Sequence, residues 1–96
     1  MEYDLKQDKL LLGMLRLKDI DQPWFYCDFE PTEAFQTVQP LFTKELEFLN
    51  NNQMEEWEEA YQKIDDLKLS LCGKAEENVI TEFLLHIEEE VAWFRY

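Results

Sequence analysis

The chain has 96 residues, enough for one domain around one hydrophobic core. Its 46% hydrophobic and 15% aromatic content sets it apart from disordered chains. Nine basic residues against 22 acidic ones give a net charge of −13 at pH 7, with none of the Lys and Arg clustering that holds a nucleic-acid backbone or an anionic membrane surface.

Residues 1–8 (MEYDLKQD) are polar and are expected to fray. Glu2, Asp4 and Asp8 stand where a signal peptide would be basic, and no apolar run approaches the ~18 residues that span a bilayer, so a cytoplasmic location is expected. Lys9 to Lys18 alternates in part and reads as a strand with Gly13 as a weak point or bulge. Asp19-Ile20-Asp21-Gln22-Pro23 is turn chemistry. Trp24 to Glu30 (WFYCDFE) completes a hairpin.

Pro31-Thr32-Glu33 then starts a helix, with the Thr32 side chain expected to accept from free backbone N–H groups. Phe35, Val38, Phe42, Leu46 and Leu49 fall at helical spacing; Pro40 either kinks this helix or opens a second one. Asn50-Asn51-Asn52 is a loop. A helix over 53–67 follows, with Trp57, Ala60, Tyr61, Ile64 and Leu67 on one stripe and Glu55, Glu56, Glu58 and Glu59 near its positive end. Further strands are read at 67–71, 79–87 and 91–96. The expected architecture is a single α+β domain over 1–96: a mostly antiparallel five-stranded sheet in the order ββααβββ, with two helices on one face. Its last strand is expected to pair with the strand at 9–18.

Sites for chemistry are hard to find. Cys27 and Cys72 have no CxxC spacing and are read as buried thiols. His86, the only histidine, alternates with Glu82, Leu84 and Glu88, which permits a carboxylate–imidazole grouping. One His is nevertheless far from a metal-ligand set, and no serine elbow or Gly-rich phosphate loop is present. No catalytic residue, cofactor or metal is assigned.

The aromatic content points elsewhere. With a turn at Glu89-Glu90, Ile87 faces Ala92, Leu85 faces Phe94 and Phe83 faces Tyr96 on the core side. His86 then faces Trp93, and Leu84 faces Arg95, on the other side. The same alternation puts Trp24 and Tyr26 opposite Phe25, Cys27 and Phe29, while Met14 and Arg16 extend the set. A sheet covered on one face leaves Trp24, Tyr26, Leu84, His86, Trp93 and Arg95 on the open one. Trp, Tyr, Met and Arg are the types enriched in interface cores. Either this is a contact surface for a protein partner (a basic one or a second copy), or the large side chains cover one another. An enzyme or small-ligand site invisible in the sequence is the alternative reading.

Two stretches, QPWFYCDFEPTEAFQTVQPLF (22–42) and EFLLHIEEEVAWFRY (82–96), resemble a family of short bacterial proteins, of cyanobacteria and actinobacteria among others, to which no activity is assigned. Its members share a PWF…C.FEPT.AF…PLF segment and an EFLLHI…AWFRY segment. Glu88-Glu89-Glu90 departs from the Gly- or Asp-containing turn of that pattern, and the connection at Gly73-Lys74 is shorter. The resemblance implies a bacterial cytoplasmic origin and no mechanism.

Overall fold

Tight turns and alternation build the sheet one hairpin at a time. In a computed structural model, which describes residues 1–75 and 78–96, β1 (Glu2–Gln7) returns through Asp8-Lys9 into β2 (Leu10–Asp21). Asp8 takes φ 56°, a region that Asp tolerates better than most residues. β2 returns through Gln22-Pro23, whose peptide bond is cis, into β3 (Trp24–Pro31). A 3-10 turn (Glu33–Thr37) leads to α1 (Gln39–Asn50) and α2 (Met54–Asp65). β4 (Leu69–Gly73), β5 (Val79–Ile80), β6 (Leu84–Glu88) and β7 (Val91–Arg95) follow.

The result is α+β with two helices, but the antiparallel sheet has seven strands, not five, in the order β5-β4-β1-β2-β3-β7-β6. Two features account for the difference. The segment expected to fray holds β1, which is paired on both sides, because Tyr3 and Leu5 face the core at 3% and 0% exposure. Two inward side chains between polar neighbours are too few to register as a pattern, yet they suffice once flanking strands take the backbone hydrogen bonds. The run 79–87, read as one strand, divides into β5 and β6 at opposite ends of the sheet order. β7 pairs with β3 and β6, not with the strand at 9–18.

The sheet is curled. Tyr3 of β1 and Phe94 of β7 meet edge to face at 5.4 Å between ring centroids. Three strand spacings would separate those strands by about 14 Å in a flat sheet. The two edge strands β5 and β6 are joined by Thr81, Glu82 and Phe83 alone, a link able to span about 14 Å at most. The concave side holds Leu5, Leu15, Cys27, Phe29, Leu71, Leu85 and Phe94, all buried.

Phe35 continues this core from Phe29 (4.9 Å) to Phe42 of α1 (5.8 Å). Pro40 lies in the first turn of α1, where its missing N–H costs no helical bond, so the chain uses two short helical pieces. The stripe of α2 is as read from spacing up to Ile64: Ala60, Tyr61 and Ile64 are buried and Trp57 half-buried, while Leu67, expected on the same stripe, lies two residues beyond the helix and is half-buried. Thr32 does not cap. Its hydroxyl donates to the carbonyl of Leu11 at 2.7 Å, tying the start of the helical region to β2. Beside Gly13 the pairing of β1 with β2 shifts by one residue, and a Cβ on Gly13 would lie 2.5 Å from the Phe29 ring.

Candidate functional site

Register brings most of the expected face together. Tyr26, Trp93 and His86 form one cross-strand row over β3, β7 and β6, and Leu84 pairs with Arg95. The β6–β7 pairing matches the expected one from Leu84–Arg95 to Ile87–Ala92; Phe83 and Tyr96 lie beyond the two strands. Glu89 accepts φ 55° to make this turn, although Glu is a poor residue for it. Trp24 and Trp93 flank the imidazole of His86, with ring centroids at 5.6 and 5.5 Å. The guanidinium of Arg95 lies over Trp24 at 5.7 Å. Trp24, Tyr26 and Trp93 are half-buried and Arg95 is exposed.

His86 itself is not on an open face. It is 4% exposed, and its Nδ1 lies 2.8 and 3.0 Å from the two carboxylate oxygens of Glu45, a fully buried residue of α1. The same carboxylate accepts from the indole N–H of Trp57 in α2 at 2.9 Å. The helices therefore do not keep to one face. Around the β6 edge, the Tyr61 hydroxyl accepts from the Leu85 backbone N–H at 2.7 Å, while Glu45 reaches the opposite side. Tyr61 thereby closes one backbone position of an otherwise open edge strand. Burial pushes the Tyr61 hydroxyl well above its ordinary pKa, against the pull of the Leu85 backbone hydrogen bond.

The carboxylate–imidazole grouping that alternation permits with Glu82 or Glu88 does not form: His86 hydrogen-bonds to neither among the described residues, Glu82 lies outside β6, and the carboxylate comes from Glu45 of α1. A signal for Glu45 does exist. It stands on the Val38–Phe42–Glu45–Leu49 spacing, an acidic residue at a core position of an apolar stripe.

Other expected members lie apart. Met14 and Arg16 face the β1 side of the sheet, where Lys74 Nζ approaches Met14 Sδ at 3.2 Å and Arg16 pairs with Glu2 at 3.6 Å. Leu84 packs on the edge of the core. It also borders a cleft of about 460 Å³ at the seam between α2 and residues 81–83, lined by Ile64, Asp65, Lys68, Glu82 and Phe83 among others. Cys27 is buried, and that burial, reinforced by Asp28, raises its thiol from 9.0 to about 11. Cys72 is half-exposed, contrary to the expectation for both thiols. Among the described residues no group of three or more His, Cys, Asp or Glu side chains converges as a metal site, and no helix is long and apolar enough to cross a membrane. Comparison with family models, with curated proteins and with solved structures yields no match to this chain.

Proposed function

We propose that this protein is a binding module that engages another protein through the β3–β7–β6 face, with Trp24, Tyr26, Trp93 and Arg95 as the contact residues. One observation carries the reading. Trp24 and Trp93 keep part of their surface in solvent while both pack on an imidazole anchored from behind by a buried carboxylate. Aromatic anchors held in place before binding lose little conformational freedom on contact, and Trp, Tyr and Arg dominate interface energetics. The net charge of −13 weighs against a second copy as the occupant, because like surfaces repel.

The test is a pair of truncations, Trp24→Ala and Trp93→Ala. Both are expected to keep a cooperative fold and to weaken partner capture by ~2 kcal/mol or more each. Loss of ~3–5 kcal/mol of folding stability from either one, the cost of a core aromatic, would assign the rings to the core and remove the contact surface. The seam cleft supports a second reading, a small-ligand site, since its volume falls in the range of such pockets. A thermal-shift screen against metabolites separates the two.

A further inference from the structure

We infer that the seam cleft takes a short free peptide, two or three residues in extended form, whose terminal carboxylate pairs with Lys68 and whose ammonium lies against Asp65 and Glu82. This rests on the reading of the cleft as a small-ligand site and lies apart from the Trp24–Trp93 face. Three observations converge on it.

The first is the backbone. β5 pairs with β4 at two positions only, Ile80 with Leu71 and Val79 with Cys72. Continued past Ile80, that register would set Thr81 opposite Ser70 and Glu82 opposite Leu69. The chain instead leaves this ladder at Thr81 and rejoins the sheet against β7 at Leu84. Thr81, Glu82 and Phe83 make no hydrogen bond to any described residue, and Leu69 and Ser70 are paired on the β1 side alone. Backbone groups left without a ladder partner beside a cleft are those that an added strand uses.

The second is shape. The cleft of about 460 Å³ has buried Tyr61, Ile64 and Leu69 at its floor and half-buried Phe83 and Leu84 on its wall, so it offers an apolar side chain a place in contact with the core. Three extended residues span about 10 Å, the length of the Thr81–Phe83 link beside which they would lie.

The third is charge. Lys68 follows α2 with φ 55°, and its backbone N–H donates to the Asp65 carbonyl at 3.1 Å. Lys68, Asp65 and Glu82 all line the cleft, and none of the three makes an ion pair among the described residues. A purely cationic or purely anionic ligand would meet a like charge on this rim. A zwitterion answers both signs, and a peptide adds the amide groups that the open backbone positions can pair with.

The experiment is a titration of the ¹⁵N-labelled protein with the tripeptide Ala-Leu-Ala, with free termini and in its N-acetylated and C-amidated forms. The largest shifts are expected at the amides of Ser70, Thr81, Glu82 and Phe83. Either cap should weaken binding about 2- to 5-fold, the worth of one exposed ion pair, and by less at high salt. Lys68→Asn, a residue that tolerates positive φ, should bind the free and C-amidated forms equally while still favouring the free form over the N-acetylated one. An Asp65→Asn/Glu82→Gln double variant should show the reverse. All three substituted side chains are exposed, so the variants keep the fold.

Equal affinity for the free and capped peptides would overturn the inference, as would shifts confined to the Trp24 and Trp93 indoles. If free leucine moves the Thr81 to Phe83 amides while the tripeptide does not, the cleft holds a small ligand but not a peptide. If neither leucine, the tripeptide nor any compound of the metabolite screen moves them, the small-ligand reading of the cleft falls as well.

Discussion

Replacing Glu45 by Ala removes the acceptor shared by His86 Nδ1 and Trp57 Nε1 and leaves both N–H groups without a partner in the same space. Breaking a buried pair by deleting one member costs about 3–5 kcal/mol, because the remaining polar group stays desolvated. The Trp57 indole is half-buried and can recover water, so it adds only about 1 kcal/mol. A domain of this size has roughly 5–15 kcal/mol in total, so Glu45→Ala should remove on the order of a third or more of it. Urea unfolding followed by far-UV circular dichroism measures this directly, provided the slope m is unchanged. A Glu45→Leu/His86→Leu double variant should return to within about 2 kcal/mol of the parent, since replacing both members of a buried hydrogen-bonded pair by apolar side chains is often nearly neutral. A loss below ~1 kcal/mol for Glu45→Ala would show that the carboxylate does not hold the ring, and the rigidity invoked for Trp24 and Trp93 would go with it.

Three further outcomes follow from the geometry. Gly13→Ala should cost about 1–3 kcal/mol of stability, because its methyl group meets the Phe29 ring at 2.5 Å; a companion Phe29→Leu variant that absorbs the methyl would tie the cost to that contact. Glu89→Gly should raise the thermal midpoint by a few degrees, about 0.5–1 kcal/mol, by relieving positive φ; an unchanged or lower midpoint in calorimetry would contradict the turn geometry. Stability should also decline in alkali. The Cys27 thiol is raised in the folded state from 9.0 to about 11, so its contribution is complete below pH 9 and is lost as pH rises through 11. The loss is about 2–3 kcal/mol, and Cys27→Ala should flatten this part of the profile while leaving the Tyr61 contribution above pH 10.

What the sequence determined by itself is the content of each local segment. Period-two alternation in 84–95 fixes which side chains share a face, and the β6–β7 register follows only once the turn is centred on Glu89-Glu90, where the structure has it although Glu89 is a poor turn residue. The stripe of α2 was equally legible, because helical spacing acts within a few residues; Pro40 was legible as an interruption, but the choice between a kink and a second helix was not. Tertiary structure decided the rest. β1 is a strand only because β4 and β2 complete its hydrogen bonds from both sides, and the 79–87 run divides only because the curled sheet brings its two edges to the ends of a three-residue link. The site shows the same division. Alternation placed His86 beside Trp93, but His86 and Glu45 stand 41 residues apart, and among 22 acidic residues nothing local selects the one that a folded core will bury against an imidazole. Burial is a property of what surrounds a side chain, so a carboxylate at a helical core position becomes a ligand for histidine only when α1 lies along the edge of β6.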